Sequence, residues 1–378
     1  MAVQIRLPGR DGLLEIPSPG WACCYPPPAS RRVYAAAHVA ARPGPDGEVI
    51  DWEATMAFRD HLWAHGFGVA EAMDTAQRGM GLSWEHAREL IARSAARAAG
   101  PLVCGVGTDQ LADGERYPIA RITGAYASQM GFVQATGAGV ILMASRALAV
   151  SARGARDYLE VYGELLRQAD RPVILHWLGE AFDPALRGYW GSPSFDEAAG
   201  TVLELIERAG SQVEGIKLSV LDAGREVALR RRLPAGVRLY TGDDFNYADL
   251  IRGDAVGHSD ALLGAFAAVT APAAAALAAL DRGDVAGYDA AMGPTVPLSR
   301  VLFEAPTYYY KVGVAFLAWL NGLQPGFAML GGLQRRRPAR HLIRVFELAA
   351  AARALADPEL AAGRMGELVA TLAGPERV

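Results

Sequence analysis

The sequence has little cysteine, no long apolar run and no large excess of charge of either sign. Its 378 residues include only three cysteines, Cys23, Cys24 and Cys104. An odd number without a ligand-like spacing argues against a disulfide framework and a cysteine zinc site. The formal net charge of −4 gives no electrostatic basis for binding nucleic acid or an anionic membrane. We therefore expect a soluble globular protein of a reducing compartment.

Phosphate-binding glycine motifs are also missing. No G-x-G-x-x-G follows the first apolar run, and no G-x-x-x-x-G-K-[ST] occurs, which leaves dinucleotide-binding and P-loop proteins without support. The first residues, MAVQIRLPGRDG, contain no apolar segment typical of a secretion signal. We expect a cytoplasmic protein, without a membrane or nucleic-acid partner, that acts on a small molecule.

What the sequence does contain is a repeated alternation of short apolar runs and helical stretches. The predicted strands cover residues 31–39, 67–73, 101–107, 137–144, 171–177, 214–220 and 236–242, with a weak eighth near 253–258. Seven or eight such units in a row predict a parallel sheet. Eight units close into a (β/α)8 TIM barrel, and the largely helical sequence after residue 259 predicts a C-terminal helical extension.

These patterns predict three segments. Residues 1–30, rich in proline, form an irregular arm; residues 31–268 form the barrel; and residues 269–378 form the helical extension. Between the strands lie good helix formers, for example residues 83–100 and 195–210. Ser83 and Ser194 are placed to begin two of these helices.

One predicted strand carries an unexpected charge. The run EGIKLSV, residues 214–220, has Lys217 at its centre. A buried ammonium is costly unless it is paired, and a buried lysine often loses its proton. A neutral lysine is a nucleophile. Lys217 is therefore either half of an ion pair, with Glu71, Asp74 or Asp243, or the centre of an active site.

Alternation along the strands supports the second interpretation. If Lys217 points into the barrel, Ser219 does too, while the larger apolar residues between them face the helices. The same alternation places His176 of the preceding strand, PVILHW, inside the barrel. The fifth and sixth strands are neighbours, so Lys217 and His176 are predicted to meet near the carboxyl ends of the strands, where barrel active sites lie.

From residue 31 to about residue 325, the chain resembles the dihydrodipicolinate synthase and N-acetylneuraminate lyase superfamily of class I aldolases. GIK (215–217) resembles the sixth-strand motif that carries the Schiff-base lysine, and TGDD (241–244) resembles the seventh-strand motif. PVILHW (172–177) resembles the strand that ends in a catalytic tyrosine, and residues 303–322 resemble the helix after the barrel. The resemblance implies a Schiff-base lysine at Lys217.

The chain departs from that pattern at three positions. His176 replaces the tyrosine that relays protons. Where the superfamily has two threonines that bind a carboxylate, this chain has Asp74 and Thr75, and Asp74 would repel a carboxylate. The exit of the fourth strand, normally aromatic, is ASRAL, with Arg146. We therefore expect the fold and the lysine chemistry to be retained, with a substrate other than pyruvate.

The leading hypothesis is a Schiff-base lyase that acts on a small hydroxylated carbonyl compound, sugar-derived, without a cofactor. Lys217 and His176 are the predicted catalytic residues. The predicted substrate-binding residues are Glu71, Asp74, Thr75, Arg146, Ser219, Asp243 and His258. At least one of Asp243 and Asp244 is expected only to cap the next helix.

Two alternatives stay open. A metal-dependent sugar isomerase or epimerase would use Glu71, Asp74, His176 and Asp243 as ligands, although no tight metal motif occurs. A non-catalytic barrel would bind a small molecule without turnover. The resemblance also implies a homo-oligomer, either a dimer or a tetramer.

Overall fold

A computed structural model describes residues 3–373 of the chain. The strands are β1 (Val3–Arg6), β2 (Leu13–Ile16), β3 (Val33–Ala36), β4 (Ala41–Gly44), β5 (Gly47–Ile50), β6 (Gly68–Glu71), β7 (Leu102–Val106), β8 (Gly139–Leu142), β9 (Val173–Leu178), β10 (Val213–Ser219), β11 (Arg238–Thr241) and β12 (Asp260–Leu263).

The helices alternate with most of these strands and continue beyond them. They are α1 (Trp52–Ala64), α2 (Trp84–Arg97), α3 (Ile119–Ala135), α4 (Arg146–Ser151), α5 (Ala155–Gln168), α6 (Phe195–Ala209), α7 (Ala223–Arg230), α8 (Tyr247–Arg252), α9 (Ala265–Ala268), α10 (Thr270–Asp281), α11 (Val285–Met292), α12 (Thr295–Leu302), α13 (Tyr310–Leu320), α14 (Ala339–Ala351) and α15 (Pro358–Ala373).

Residues 31–37 and 68–263 form one compact unit that contains a closed barrel. Its eight strands are all parallel and follow the order β3, β6, β7, β8, β9, β10, β11, β12, with β12 pairing back onto β3. The predicted (β/α)8 barrel and the C-terminal helices are confirmed. The segment boundaries at residues 30 and 268 stay a prediction.

The barrel interior is packed with apolar side chains. Its core cluster consists of Tyr34, Ala36, Ala70, Met73, Val103, Ile141, Met143, Ile174, Tyr240 and Leu262. Along each strand the residues of this cluster alternate with residues that face the helices, as the period of two requires. The cluster therefore shows which face of each strand points inward.

Side chains at the helix starts fix where several helices begin. Ser83 accepts a hydrogen bond from the backbone N–H of His86 and so caps α2, and capping by Ser contributes roughly 1 kcal/mol. Ser194 precedes α6, but its side chain makes no capping hydrogen bond. The acids Asp196 and Glu197 in the first turn of α6 favour that end through the helix dipole.

The predicted position of the eighth strand is wrong. Residues 253–258 form a turn, in which Asp254 Oδ1 accepts from the backbone N–H groups of Val256 and Gly257 at 2.8 and 2.9 Å. The strand itself is β12, which starts at Asp260 and runs through the apolar residues that sequence analysis assigned to the helical region. An aspartate that satisfies two N–H groups of a turn competes with strand formation.

Residues 3–30, 38–67 and 264–373 belong to a second unit. The expected irregular arm begins instead with an antiparallel pair, β1 with β2, in which Val3 lies opposite Ile16. A second pair, β4 with β5, was not predicted. In this unit α9 to α15 follow one another along the chain. Within residues 3–373, no helix has both the length and the apolar character needed to span a membrane.

Candidate active site

Lys217 and His176 lie side by side on adjacent strands of the barrel. β9 and β10 are parallel, and their register pairs Lys217 with His176 and Ser219 with Leu178. Ile174, two residues before His176, belongs to the interior cluster, so His176 also faces inward. The pairing of Lys217 with the interior residue Tyr240 places the lysine on the same face.

The Lys217 side chain is buried, with 7% of its surface exposed. Burial lowers the pKa of its ammonium group, and the negative charges of Asp74 and Asp244 offset this only in part. Within residues 3–373, Lys217 makes no hydrogen bond and no close ion pair. The amine is therefore biased toward its neutral, nucleophilic form rather than fixed as half of a salt bridge.

His176 is also uncharged near neutral pH. Burial lowers its pKa well below the usual value, and the neighbouring Lys217 charge lowers it further. Its Nε2 lies 3.4 Å from Ser219 Oγ. Its Nδ1 is buried and has no hydrogen-bond partner among the described residues. A buried polar nitrogen without a partner is uncommon in folded proteins and is compatible with a ligand contact.

A glycine at the end of β11 leaves room for the lysine. A Cβ atom at Gly242 would lie 2.1 Å from Ser219 Oγ and 2.9 Å from Lys217 Cε. Both distances are shorter than normal contacts between these atoms, so any side chain at this position would displace Lys217 or Ser219. Gly242 thus permits the observed course of the lysine side chain.

The two aspartates after β11 have different surroundings. Asp243 Oδ1 accepts from the backbone N–H groups of Phe245 and Asn246, at 2.9 and 3.0 Å, and its Oδ2 accepts from Asn246 Nδ2. Asp243 therefore organises the turn that leads into α8. Asp244 is buried and its charge acts on Lys217. The substrate-binding role predicted for Asp243 stays a prediction, and Asp244 joins the candidate site.

Asp74 reaches the site from the exit of β6. Ala72 adopts a left-handed conformation, with φ of 52°, and the 3₁₀ turn Asp74–Ala76 follows. Non-glycine residues in this conformation are strained and concentrate at functional sites. The charge of Asp74 is the largest stabilising influence on the Lys217 ammonium. Thr75, in the same turn, is buried.

Glu71 points away from this site. It follows the interior residue Ala70, so its side chain emerges on the helix-facing side of β6. There Glu71 Oε2 accepts from Ser94 Oγ of α2 at 2.6 Å, and Oε1 accepts from the backbone N–H of Ala72 at 2.8 Å. These contacts place Glu71 in the packing between strand and helix, where it does not face Lys217.

A cavity of about 340 Å³ opens at the carboxyl ends of β6 to β9. Asp74, whose charge acts on Lys217, is part of its wall, whereas Lys217 and His176 are not among the lining residues. Leu178, the register partner of Ser219, also lines it. This is the end of the barrel at which active sites of the fold are found.

Both arginines of the cavity wall are already paired with carboxylates. Arg78 binds Asp109, with Nε to Oδ2 at 2.7 Å. Arg146, at the start of α4, binds Asp183 at 2.6 Å and Asp113 at 2.7 Å. The charges of both arginines are therefore neutralised by carboxylates of the protein, including that of Arg146. The wall does not favour the binding of an anionic group.

His258 lies elsewhere. It precedes β12, whereas the prediction placed it at the far end of the eighth strand. Asp260, which opens β12, and Arg31, which precedes β3, both influence its pKa, which burial lowers. His258 thus belongs to the end of the barrel where strands begin, opposite to the end at which β6 to β9 open into the cavity.

The side chains required by the metal hypothesis do not converge. Glu71 faces α2 and Asp243 closes a turn. Within residues 3–373, no three His, Cys, Asp or Glu side chains form a group suited to a metal ion. The proposed ligand set of Glu71, Asp74, His176 and Asp243 is therefore wrong as a single cluster.

A family model described as "Protein of unknown function (DUF993)" matches residues 6–374. The chain belongs to this family. A search of curated proteins found no similar sequence.

Solved structures with a similar fold were also found. Dihydrodipicolinate synthase from Bacillus clausii matches with a TM-score of 0.65 and 15% identity, covering 85% of this chain and 97% of that one. The enzyme from Oceanobacillus iheyensis matches with a TM-score of 0.64 and 15% identity, over 84% and 95% of the two chains. YagE from E. coli K12, a protein of the dihydrodipicolinic acid synthase family in complex with pyruvate, matches with a TM-score of 0.65 and 15% identity. The match covers 84% of this chain and 98% of that one.

At this level of identity the likeness concerns the fold. The DUF993 chain shares the barrel and the helices after it with these structures. The resemblance found in the sequence agrees with the fold, while the chemistry must be argued from its own residues.

Sequence analysis missed three features of the site. Asp244 was considered only as an alternative to Asp243, because the GDD pattern cannot distinguish the residue that caps from the residue that faces inward. The pair of the buried Arg78 with Asp109 was not identified, because its members are 31 positions apart along the chain. Gly242 was treated only as part of the TGDD motif, and its close approach to Lys217 was not predicted.

Proposed function

We propose that this protein is a lyase that forms a Schiff base between Lys217 and the carbonyl group of its substrate. The observation that carries the proposal is a buried lysine whose pKa is lowered, on the inner face of a barrel strand and beside a neutral histidine. Lysines of this kind in clefts are frequently functional. The unprotonated amine is the form that attacks carbonyl carbons, and burial favours that form.

The chemistry follows from this arrangement. The Lys217 amine adds to the carbonyl carbon, and loss of water gives a protonated imine. When the neighbouring C–C bond breaks, its electron pair moves toward the imine nitrogen and leaves an enamine, while a β-hydroxyl gives up its proton. His176 is neutral and can accept that proton. The reverse sequence forms a C–C bond. In the third outcome, the carbon next to the imine loses a proton and a β-hydroxyl then leaves as water. In the cleavage, the enamine regains a proton at carbon, and in every case water hydrolyses the final imine and frees Lys217.

The charges of the cavity favour a neutral substrate. Asp74, Asp109, Asp113 and Asp183 line it, and its two arginines are bound to three of these four carboxylates. A substrate carboxylate or phosphate would meet this negative charge, and both arginines of the wall described here are already bound to carboxylates. Hydroxyl groups, in contrast, donate hydrogen bonds to carboxylates. A short polyhydroxylated aldehyde or ketone, related to a sugar, fits this wall better than pyruvate does.

The second lysine of the chain provides a matched control for Lys217. It contains two lysines, Lys217 and Lys311, and both are buried. Lys311 lies in α13, next to the ring of Tyr310. The test is retro-aldol and dehydration assays with a panel of neutral aldoses and ketoses, using wild type, Lys217→Met and Lys311→Met.

We expect Lys217→Met to lose activity by about 10³-fold or more, with Lys311→Met at the wild-type level. Equal activity of wild type and Lys217→Met would overturn the proposal. Saturable binding without turnover, equal in wild type and Lys217→Met, would instead favour the non-catalytic barrel.

A dimer or tetramer in the cytoplasm remains part of this proposal. One solved structure of similar fold carries the description "first monomeric dihydrodipicolinate synthase variant". Mass measurement of the purified chain in solution decides between the monomer and the expected oligomer.

A further inference from the structure

A second cavity lies wholly within the unit formed by residues 3–30, 38–67 and 264–373. Its volume is about 310 Å³, near the lower limit for small-molecule pockets. Its walls are mostly apolar, with Trp21 from the N-terminal segment, Pro272 and three alanines from α9 and α10, and Leu323 after α13. Two histidines of α1 and the segment after it, His61 and His65, supply polar atoms.

Hydrogen bonds fix the loop that forms one wall. Trp21 Nε1 donates to the backbone oxygen of Arg353 at 2.8 Å. Asn321 Nδ2 donates to the oxygen of Ala354 at 3.0 Å, and Asn321 Oδ1 accepts from the N–H of Ala356 at 2.8 Å. Arg353 is itself held in a left-handed conformation, with φ of 51°. The cavity is therefore preformed, which lowers the entropic cost of binding.

The hydrogen bonding of His65 defines what the cavity offers to a ligand. Its Nδ1 lies 2.8 Å from the backbone oxygen of His61. An oxygen of this kind only accepts, so Nδ1 carries the proton, and in the neutral ring Nε2 is then an acceptor. Within residues 3–373, Nε2 has no hydrogen-bond partner.

Both histidines are neutral near pH 7. Burial lowers the pKa of His61 to about 4, and the adjacent His65 contributes to the shift. Burial also lowers the pKa of His65, against the opposing effect of its bond to the His61 oxygen. The two rings lie 4.4 Å apart between centroids. The lining thus combines apolar and aromatic surface with the neutral imidazoles of His61 and His65, and polar groups of Thr270, Asn321 and Arg353 also border it.

We propose that this second cavity binds a small, neutral aromatic molecule with one N–H or O–H group, which donates a hydrogen bond to His65 Nε2. The apolar body of the ligand would pack against Trp21, Pro272 and the alanines. This site is independent of the lyase proposal, because its residues and its ligand chemistry differ from those around Lys217.

Indole and benzofuran test the proposal, because they have nearly the same shape and only indole has an N–H donor. Isothermal titration with wild type should give a Kd for indole about tenfold lower than for benzofuran, the effect of one hydrogen bond. In His65→Phe, which keeps a ring but removes the acceptor, this preference should disappear. The Kd values of two proteins for two ligands form a double-difference cycle. A general loss of stability in His65→Phe would weaken both ligands alike and leave the preference for indole unchanged.

A cavity-filling variant locates the binding. Ala271 lines the cavity, whereas Ala351 is exposed at the end of α14 and does not. Ala271→Phe should abolish binding of both ligands, and Ala351→Phe should leave both affinities unchanged. Equal affinity of wild type for the two ligands, or indole binding that survives Ala271→Phe, would overturn the proposal. The Ala271→Phe result does not depend on whether His65→Phe folds.

Discussion

Lys217 and His176 occupy paired positions on β10 and β9, both inside the barrel and both with a lowered pKa. Burial disfavours the charged form of both groups, and the charge of Lys217 lowers the pKa of His176 further. The site therefore places an amine of lowered pKa beside an uncharged imidazole. This is the combination that a Schiff-base mechanism needs, with a nucleophile and a proton acceptor ready at the same pH.

Gly242→Ala should impair the site without removing any functional group. Its Cβ would lie 2.9 Å from Lys217 Cε and 2.1 Å from Ser219 Oγ, so both side chains must move. We expect a loss of kcat of about 10²-fold, as for a misplacement near 1 Å, together with a stability loss of about 1–3 kcal/mol from overpacking. Kinetics and thermal unfolding measure the two effects.

Gly224→Ala is the matched control. Gly224 lies in α7, where an added Cβ meets only Asp222 Oδ1 at 3.4 Å. This change should leave kcat unchanged and stabilise the helix slightly, because alanine favours helices over glycine. Full activity of Gly242→Ala would contradict the close approach of Gly242 to the lysine.

Asp74→Asn and Asp244→Asn should each shift the pH dependence of the reaction to lower pH. Both carboxylates raise the pKa of Lys217, against the larger effect of burial. Removing either charge lowers the Lys217 pKa further, so the free amine persists to more acidic solutions. The acid limb of kcat/KM reports this pKa in the free enzyme.

Asp113→Asn provides the comparison, since Asp113 lines the cavity but pairs with Arg146. The acid limb of kcat/KM measured for Asp113→Asn should match that of wild type. An acid limb that moves to higher pH in Asp74→Asn would mean that the titrating group is not Lys217.

Glu226→Gln should stabilise the protein in alkaline solution. Burial raises the pKa of Glu226 from 4.5 to about 8, against hydrogen bonds from Ser259 and Thr241 that lower it. Between these pH values the unfolded chain is ionised at this position while the folded chain holds the proton. The stabilisation that comes from this raised pKa of Glu226 is therefore complete below pH 4.5 and is lost as the pH rises through about 8.

Glutamine removes this pH dependence, so the free energy of unfolding at pH 9 should rise by roughly 1–3 kcal/mol, below the full value of the pKa shift. Denaturant unfolding at pH 5 and pH 9 measures the difference between the two proteins. Glu207→Gln, on the exposed side of α6, should show no such difference. A slope of stability against pH that is unchanged in Glu226→Gln would refute the raised pKa.

The barrel could be predicted because its signal is local. Seven runs such as PVILHW and EGIKLSV are apolar, short and separated by helical stretches, and each became a strand. The eighth strand was mispredicted because the apolar residues of β12 directly precede the alanine-rich helices. In the sequence, these residues are therefore indistinguishable from the start of the helical region. The β1–β2 and β4–β5 pairs consist of strands of only four residues, and β4 and β5 contain Pro43, Gly44 and Gly47, so the signal of these pairs is weak.

The candidate site was predictable where alternation determines orientation, as for Lys217 and His176. It was not predictable at strand exits, where the backbone leaves the regular period of two. Glu71 follows an inward residue and faces a helix, whereas Asp74, three residues later, reaches the cavity after the left-handed turn at Ala72. Such a turn at an alanine has no signature in the sequence.

The most direct measurement is reductive trapping of the covalent intermediate. Protein, a neutral aldose or ketose that it turns over, and borohydride are incubated together, and peptides are mapped by mass spectrometry. With only two lysines in the chain, wild type and Lys311→Met should both carry the reduced adduct on Lys217, and Lys217→Met should carry none. Turnover with no adduct on Lys217, or an adduct confined to Lys311 or the terminal amine, would contradict the account.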